Sequence, residues 1–289
     1  MKYLKKFGTI AQYNAYTADT ENFILPNVSL IEETNGVAYH PYVPSETRLV
    51  AKYNVTDTSY PTPIGNRQYT SGFSAIEIDG VAQPSVVSAY TFSTTGEHTV
   101  KYTLTNPTTI DRYAFYNCTS LISVYIPNSV TSIGIECFNN CSGLTSCTIG
   151  SGVTSIGDSV FRNCSGLADI TIPSGVTTIN QSTFYNCRSL TNIFIPNSVT
   201  KIWSNAFYDC SGLTSVIIGS GVSDIGNYAF NRCRSLTSIN VYTAIPPTLG
   251  AQVFGTTNDC PIYVPASSIE TYKAASGWST YADRIQAIQ

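Results

Sequence analysis

Charge is scarce in this chain. Asp, Glu, Lys and Arg make up only 11% of its 289 residues, 15 basic against 18 acidic for a net charge of −3, where a typical soluble protein carries about 25%. The basic residues are scattered, so the electrostatic footprint that nucleic acid or an anionic lipid surface requires is missing. Apolar runs stop after a few residues, far short of the roughly 18 needed to cross a bilayer as a helix, and no membrane insertion is expected. The opening "MKYLKKFGTIAQYNAYT" starts basic, but Gln12, Asn14 and Thr17 interrupt any secretory core. No signal peptide is therefore visible, which leaves an intracellular location open.

Histidine is almost as rare. His40 and His98 are the only two, and acid-base or nucleophilic catalysis needs a base poised by its neighbours. His98 alternates with Val100 and Tyr102 on an expected strand, the position of a surface or corner residue rather than a catalyst. A hydrolase would rest on these two histidines alone, and no enzyme is expected. The acidic residues Glu136, Asp158, Asp169, Asp209 and Asp224 fall at scattered positions along the chain, so paired carboxylates are not built in.

What is abundant is repetition. Phe115, Phe138, Phe161, Phe184, Phe207 and Phe230 follow one another at intervals of 23 residues, and Phe254 comes after 24. Cys118, Cys141, Cys164, Cys187, Cys210 and Cys233 keep the same interval, as do Leu121, Leu144, Leu167, Leu190, Leu213 and Leu236. Columns in register at such a period mark a solenoid. Within a copy, Leu121, Val124 and Ile126 have the spacing of a short strand with one inward face. A turn follows at Pro127, Gly150, Pro173, Pro196 and Gly219, then a second extended unit running from Val130 to Ile133 in the first copy. The stretch from there to the Cys is expected to form a helical or 3₁₀ turn that carries the Phe inward.

One coil cannot bury its own Phe, Leu and Ile, whereas stacked coils bury one another's. The fold expected is mainly β with short helical turns: a solenoid of 23-residue coils over residues 106–244, preceded by a small β-sandwich. The sandwich is expected over 47–105, where alternation and turn signals such as Asp79-Gly80 and Thr95-Gly96 recur. Residues 1–46 are expected to form a linker or docking segment, and 245–289 a cap in which "CPIYVP" is a final strand and "SSIETYKAASGW" a helix with Ser at its N-cap.

Copies such as "SGLTSVIIGSGVSDIGNYAFNRC" and "TSLISVYIPNSVTSIGIECFNNC" resemble the BspA-type leucine-rich repeat of bacterial surface proteins, and "CPIYVPASSIETYKAASGW" is similar to the cap of such chains. The resemblance implies a right-handed solenoid with a parallel sheet, and a surface or secreted role in adhesion. Ser129 stands where other leucine-rich repeats place Asn or Cys, so their Asn ladder is not expected. "YTFSTTGEHTVKYTL" is similar to the last strands of immunoglobulin-like or PKD-like modules.

Nine cysteines invite a metal or redox reading. Six of them share one repeat position, and parallel side chains in equivalent rotamers point alongside one another, so they are expected to be buried, inert thiols. Cys137, Cys141 and Cys147 cluster without a histidine in the repeats, so no metal site is expected and no cofactor. Cys260 is expected to be exposed near the cap. The candidate binding face is the outward side of the first strand in each copy, carrying Tyr125, Thr148, Asp169, Thr171, Asn192, Phe194, Ile217 and Asn240. The expected role is non-enzymatic binding of a host or neighbouring-cell protein or glycan, the alternative being a structural part of an intracellular or phage-derived assembly. Neither the partner nor the oligomeric state can be read from these residues.

Overall fold

The computed structural model describes residues 48–288, so the expected linker over 1–46 and His40 lie outside the described residues. The N-terminal part folds into β1 (Leu49–Val55), β2 (Thr62–Pro63), β3 (Phe73–Ile78), β4 (Val81–Ala82), β5 (Ala89–Tyr90) and β6 (Gly96–Leu104). An outer strand, β7 (Thr109–Ile110), then opens the coils. Each later coil supplies a first strand and a two-residue outer strand: β8 (Leu121–Ile126) with β9 (Ser132–Ile133), β10 (Ser146–Ile149) with β11 (Ser155–Ile156), and β12 (Asp169–Ile170) with β13 (Thr178–Ile179). The series continues with β14 (Asn192–Ile195) and β15 (Lys201–Ile202), β16 (Ser215–Ile218) and β17 (Asp224–Ile225), and β18 (Ser238–Val241) and β19 (Thr248–Leu249). The cap adds β20 (Ile262–Val264), helix α1 (Ile269–Ala274) and β21 (Ile285–Ala287).

The pairing is parallel and advances by one copy per strand, as in Val124 beside Cys147 and Tyr125 beside Thr148. This is the stacking that the 23-residue period demands, because it places every Phe on the next. From Phe115 to Phe254 the rings lie parallel within 16°, with centroids 5.0–5.7 Å apart. All are buried, and each full burial contributes about 1.5–3 kcal/mol. Close approach at the turn dictates glycine: a Cβ on Gly152 or Gly221 would fall 2.0 Å from the carbonyl oxygen of Asn128 or Asn197 one coil earlier.

The expected helical turn before each Cys is a different object. Its bonds reach three residues back, as in Tyr116 N–H to the Tyr113 carbonyl and Cys118 N–H to Phe115. Left-handed residues nevertheless interrupt it twice in each coil, for example Tyr113 (φ 58°) and Asn117 (φ 62°). The reversal frees alternate N–H groups to bond the following coil: Phe115 donates to the Cys137 carbonyl, Phe138 to Val160 and Phe161 to Thr183. The turn side is thus a third hydrogen-bonded face, with asparagine favoured where φ is positive.

Both strand layers are interrupted at one place. The first layer divides between β12 and β14, and the outer layer between β11 and β13. In other coils a backbone N–H bridges here, from Gly157 to the Ile133 carbonyl or Trp203 to Ile179. At the break the Asn180 side-chain Nδ2 donates to the Ile156 carbonyl instead, at 2.7 Å. The turn-side bonds and the Phe161–Phe184 stack carry the core across.

The N-terminal strands do not stand apart from the solenoid. β1 pairs antiparallel with both β6 and β8, giving one sheet in the order β12-β10-β8-β1-β6-β3-β4. The remaining strands of this part, β2 and β5, form a two-stranded ribbon. An immunoglobulin-like module over 47–105 is therefore not supported; the segment closes the open edge of the first coil, which would otherwise invite edge-to-edge pairing. The alternation of β1 puts Leu49, Ala51, Tyr53 and Val55 inside, and Phe73 and Tyr102 continue the Phe column by packing on Phe115.

At the other end the stack keeps its parallel sense through β20 and then β21, so "CPIYVP" is not the final strand. α1 forms where expected, with Ser268 at its N-cap position but no side-chain cap bond. Trp278 is buried over Phe254 and Tyr272, and its Nε1 donates to the Pro247 carbonyl at 2.7 Å.

Candidate functional site

The outward face of the first-layer strands holds the eight expected residues in two rows. Asp169 stands beside Ser146 and Asn192 beside Ser215. In the second row Thr148 stands beside Tyr125, and Phe194, Ile217 and Asn240 are neighbours on adjacent strands. Thr171 belongs to the same row by its interval of 23 residues, just past the end of β12. Tyr125, Phe194, Ile217, Asn240, Asp169 and Thr171 are half-buried, while Thr148 and Asn192 are exposed. Asn192 Oδ1 accepts from Ser215 Oγ at 2.7 Å. Tyr263 and Gln286 extend the second row into the cap. β1 covers its other end, with Val50 opposite Tyr125.

The thiols are held in the interior. All nine cysteines are free and buried, so Cys260 is not exposed; the Arg284 guanidinium lies over it, with Nε donating to its carbonyl at 2.8 Å. From Cys141 to Cys233 each Sγ–H of the column donates to the carbonyl of the Phe one coil earlier, at 3.0–3.2 Å. Burial disfavours the thiolate and pushes Cys118 and Cys210 up to about 12 and the other seven upward as well. A thiol so placed is a poor nucleophile and metal ligand. Among the described residues no three His, Cys, Asp or Glu side chains are grouped to hold a metal.

His98 is likewise a structural residue. Its Nδ1 lies 2.7 Å from Asp79 Oδ2, its Nε2 lies 2.9 Å from the Thr94 carbonyl, and its ring packs against Phe92. Burial alone would depress its pKa, but the hydrogen bonds to Asp79 and Thr94 and the Asp79 charge raise it.

A concave feature lies elsewhere, on the turn side of the later coils. A groove of about 560 Å³ runs across the coils there, within the roughly 300–1,000 Å³ range of small-ligand sites. One wall is the left-handed column Ser182, Asn205, Tyr228 and Gln252. The other is the position directly after each Phe: Arg162, Tyr185, Tyr208 and Asn231. The Tyr185 and Tyr208 rings stack at 5.0 Å and 9°. The Arg162 guanidinium covers Tyr185 at 4.2 Å, and Arg232 covers Tyr208 at 5.4 Å. The sequence signal for this wall is the interval of 23 residues linking Arg162, Tyr185 and Tyr208; it escapes a reading restricted to the strands.

An unexpected amide ladder runs beside it. Asn140 Nδ2 donates to Asn117 Oδ1, Asn163 to Asn140 and Asn186 to Asn163, at 2.7–3.0 Å. The fold therefore does use an Asn ladder, at the left-handed position before each Cys rather than at the position of Ser129. It ends at Asp209, whose side chain has no N–H to donate, and Asn186 Oδ1 is left buried without a partner.

The profile of the BspA type leucine rich repeat region matches in six copies, over residues 85–214 and 162–275. Among solved structures, a leucine-rich-repeat protein of T. pallidum is 34% identical over 53% of this chain and 71% of its own, with a TM-score of 0.49. A leucine-rich cell surface protein of Faecalibacterium prausnitzii is 26% identical over 56% and 60%, with a TM-score of 0.39. The pneumococcal vaccine antigen PcpA is 16% identical over 65% and 44%, with a TM-score of 0.47. Comparison with curated proteins gave no match.

Proposed function

The chain belongs to the BspA type leucine-rich-repeat proteins, and from that premise we propose that it is a non-enzymatic binding protein of the bacterial cell surface, taking a protein or glycan of a host or neighbouring cell. The observation that carries this reading is the outward strand row. Its side chains stand one per coil on strands whose hydrogen bonds are committed between coils on either side of the break between β12 and β14, so each stretch of the surface is fixed before a partner arrives. Binding to a rigid surface forfeits little ordering entropy. Tyr125, Phe194 and Ile217 supply the kind of half-exposed apolar anchors that concentrate binding energy, with Thr148, Asp169, Thr171, Asn192 and Asn240 as the polar surround.

The test has two parts. Labelling of intact source cells with a membrane-impermeant reagent is expected to mark the chain; complete protection would remove the surface reading and turn attention to an internal assembly. Capture of extracellular-matrix proteins and arrayed glycans by the purified chain is expected to weaken in the Phe194→Ser, Ile217→Ser double variant. Unchanged capture by that variant would move the binding face elsewhere.

A further inference from the structure

The turn-side groove differs in charge from the chain that carries it. Two guanidinium groups, Arg162 and Arg232, border it, and no carboxylate among the described residues lines it, although the whole chain is net negative. Two acids beside lining residues have partners: Asp209 Oδ2 accepts from Arg188 at 2.9 Å, and Asp158 Oδ1 accepts the Gln181 backbone N–H at 3.2 Å. The cations sit at opposite ends of the stacked tyrosine pair. They are too far apart to share one small anion and are well placed for an extended ligand crossing several coils.

We infer that this groove binds an acidic glycan, a sugar chain carrying carboxylate or sulfate groups. The inference rests on the binding reading above and names its ligand class. Among the described residues neither guanidinium edge has a hydrogen-bond partner, while its face rests on a phenol ring, the geometry that grips carboxylate or sulfate through paired charge-assisted bonds. Between the cations, the Tyr185 and Tyr208 hydroxyls and the Gln181 and Asn205 amides offer donors and acceptors suited to hydroxyl-rich sugar, and Gln252 adds another beyond Arg232. Tyr228, 38% exposed and outside the stack, presents a ring to the apolar face of a pyranose.

Other ligand classes fit less well. Nucleic acid needs several open aromatic faces on which successive bases stack, but Tyr185 and Tyr208 cover each other and are capped by arginine, which leaves Tyr228 alone among the groove tyrosines outside the stack. A peptide held by apolar anchors or strand addition needs an apolar pocket or an open strand edge, and an acidic peptide, which an arginine pair also recognises, is the alternative that the poly-glutamate arm below tests. The groove has no aliphatic lining, and its wall residues Ser182, Asn205 and Tyr228 give their backbone N–H groups to the next coil.

Calorimetry on the full chain tests the inference with three hexasaccharides: a sulfated heparin fragment, an oligogalacturonate and neutral cellohexaose. At least one acidic sugar is expected to bind, more weakly as salt rises, with cellohexaose at least tenfold weaker (about one charge-assisted bond). Arg162→Gln and Arg232→Gln are each expected to cost about tenfold, and Arg162→Lys to recover part of that loss. The melting temperature should stay unchanged throughout. Equal binding of the neutral sugar, equal binding of a poly-glutamate peptide, or wild-type affinity in the double Arg variant would overturn the inference. Absence of acidic-sugar binding, alongside partner capture that still depends on Phe194 and Ile217, would overturn it while leaving the proposed function intact. Absence of both would remove the two together.

Discussion

The coils on either side of the interruption at Asn180 are closed and braced by different means. The earlier half ends in an antiparallel partner: β1 lies against β8, and the buried Tyr53 and Tyr102 hydroxyls lie 2.8 Å apart, both within reach of the Ile64 carbonyl, so that one donates to the carbonyl and the other to its neighbouring hydroxyl. The asparagine ladder lies chiefly in this half. The later half ends in parallel continuation through β20 and β21, sealed by an indole. Its turn side carries the stacked Tyr185–Tyr208 pair and Arg232, beyond the point where the ladder stops. The contrast teaches that a repeat specifies its own stacking and leaves its ends and its turn-side columns to local choice.

The largest expected effect breaks the later seal. Trp278→Ala should cost about 3–5 kcal/mol, as for other buried aromatics, and expose Phe254. In denaturant titration, with hydrogen exchange reporting each half, the coils after Asn180 should open first; equal loss in both halves would show that the interruption does not divide the cooperativity. The counterpart at the earlier end is smaller. Tyr102→Phe removes a hydroxyl from a site where the Ile64 carbonyl keeps its bond from Tyr53, for an expected cost of about 1 kcal/mol, confined to protection of β1, β6 and β8.

Asp209→Asn should lengthen the ladder across the division. Its new Nδ2 would reach the orphaned Asn186 Oδ1, and the bond lost to Arg188 is an exposed ion pair worth roughly 0–1 kcal/mol. A slight gain in midpoint is expected; a clear loss would mean that the Arg188–Asp209 pair outweighs the amide bond.

The smallest effect is a pH window in the earlier half. The His98 pKa is raised above 6.5, so its contribution is complete below that value and is lost as pH climbs through the folded pKa. At Asp79, burial pushes upward but is outweighed by the bonds to His98 and Thr99, so its pKa sits below 3.8. Its contribution is complete above that value and is lost as pH falls through the folded pKa. The pair should therefore support the earlier half best between those two ordinary values, and His98→Gln should flatten a stability profile taken across them.

The Phe, Leu and Cys columns are legible in the sequence because burial demands the same side chain in every copy. The groove is not, since Arg162, Tyr185, Tyr208 and Asn231 share a position without sharing a type; the period gives their alignment but not their chemistry. The strands of residues 49–104 show in their alternation, yet the pairing of β1 with β8 joins residues about 70 positions apart, which no local pattern encodes. Ser129 drew attention to one ladder position while the ladder stood at Asn117. Cys260 looked solitary in the sequence because Arg284, which covers it, lies in a different part of the cap.

The column of six thiols has one member per coil, each protonated and shielded until its own coil separates from its neighbour. It makes the chain a record of its own opening. An alkylating pulse during partial denaturation would write the order in which coils part into the mass of each peptide, without any foreign probe in the core.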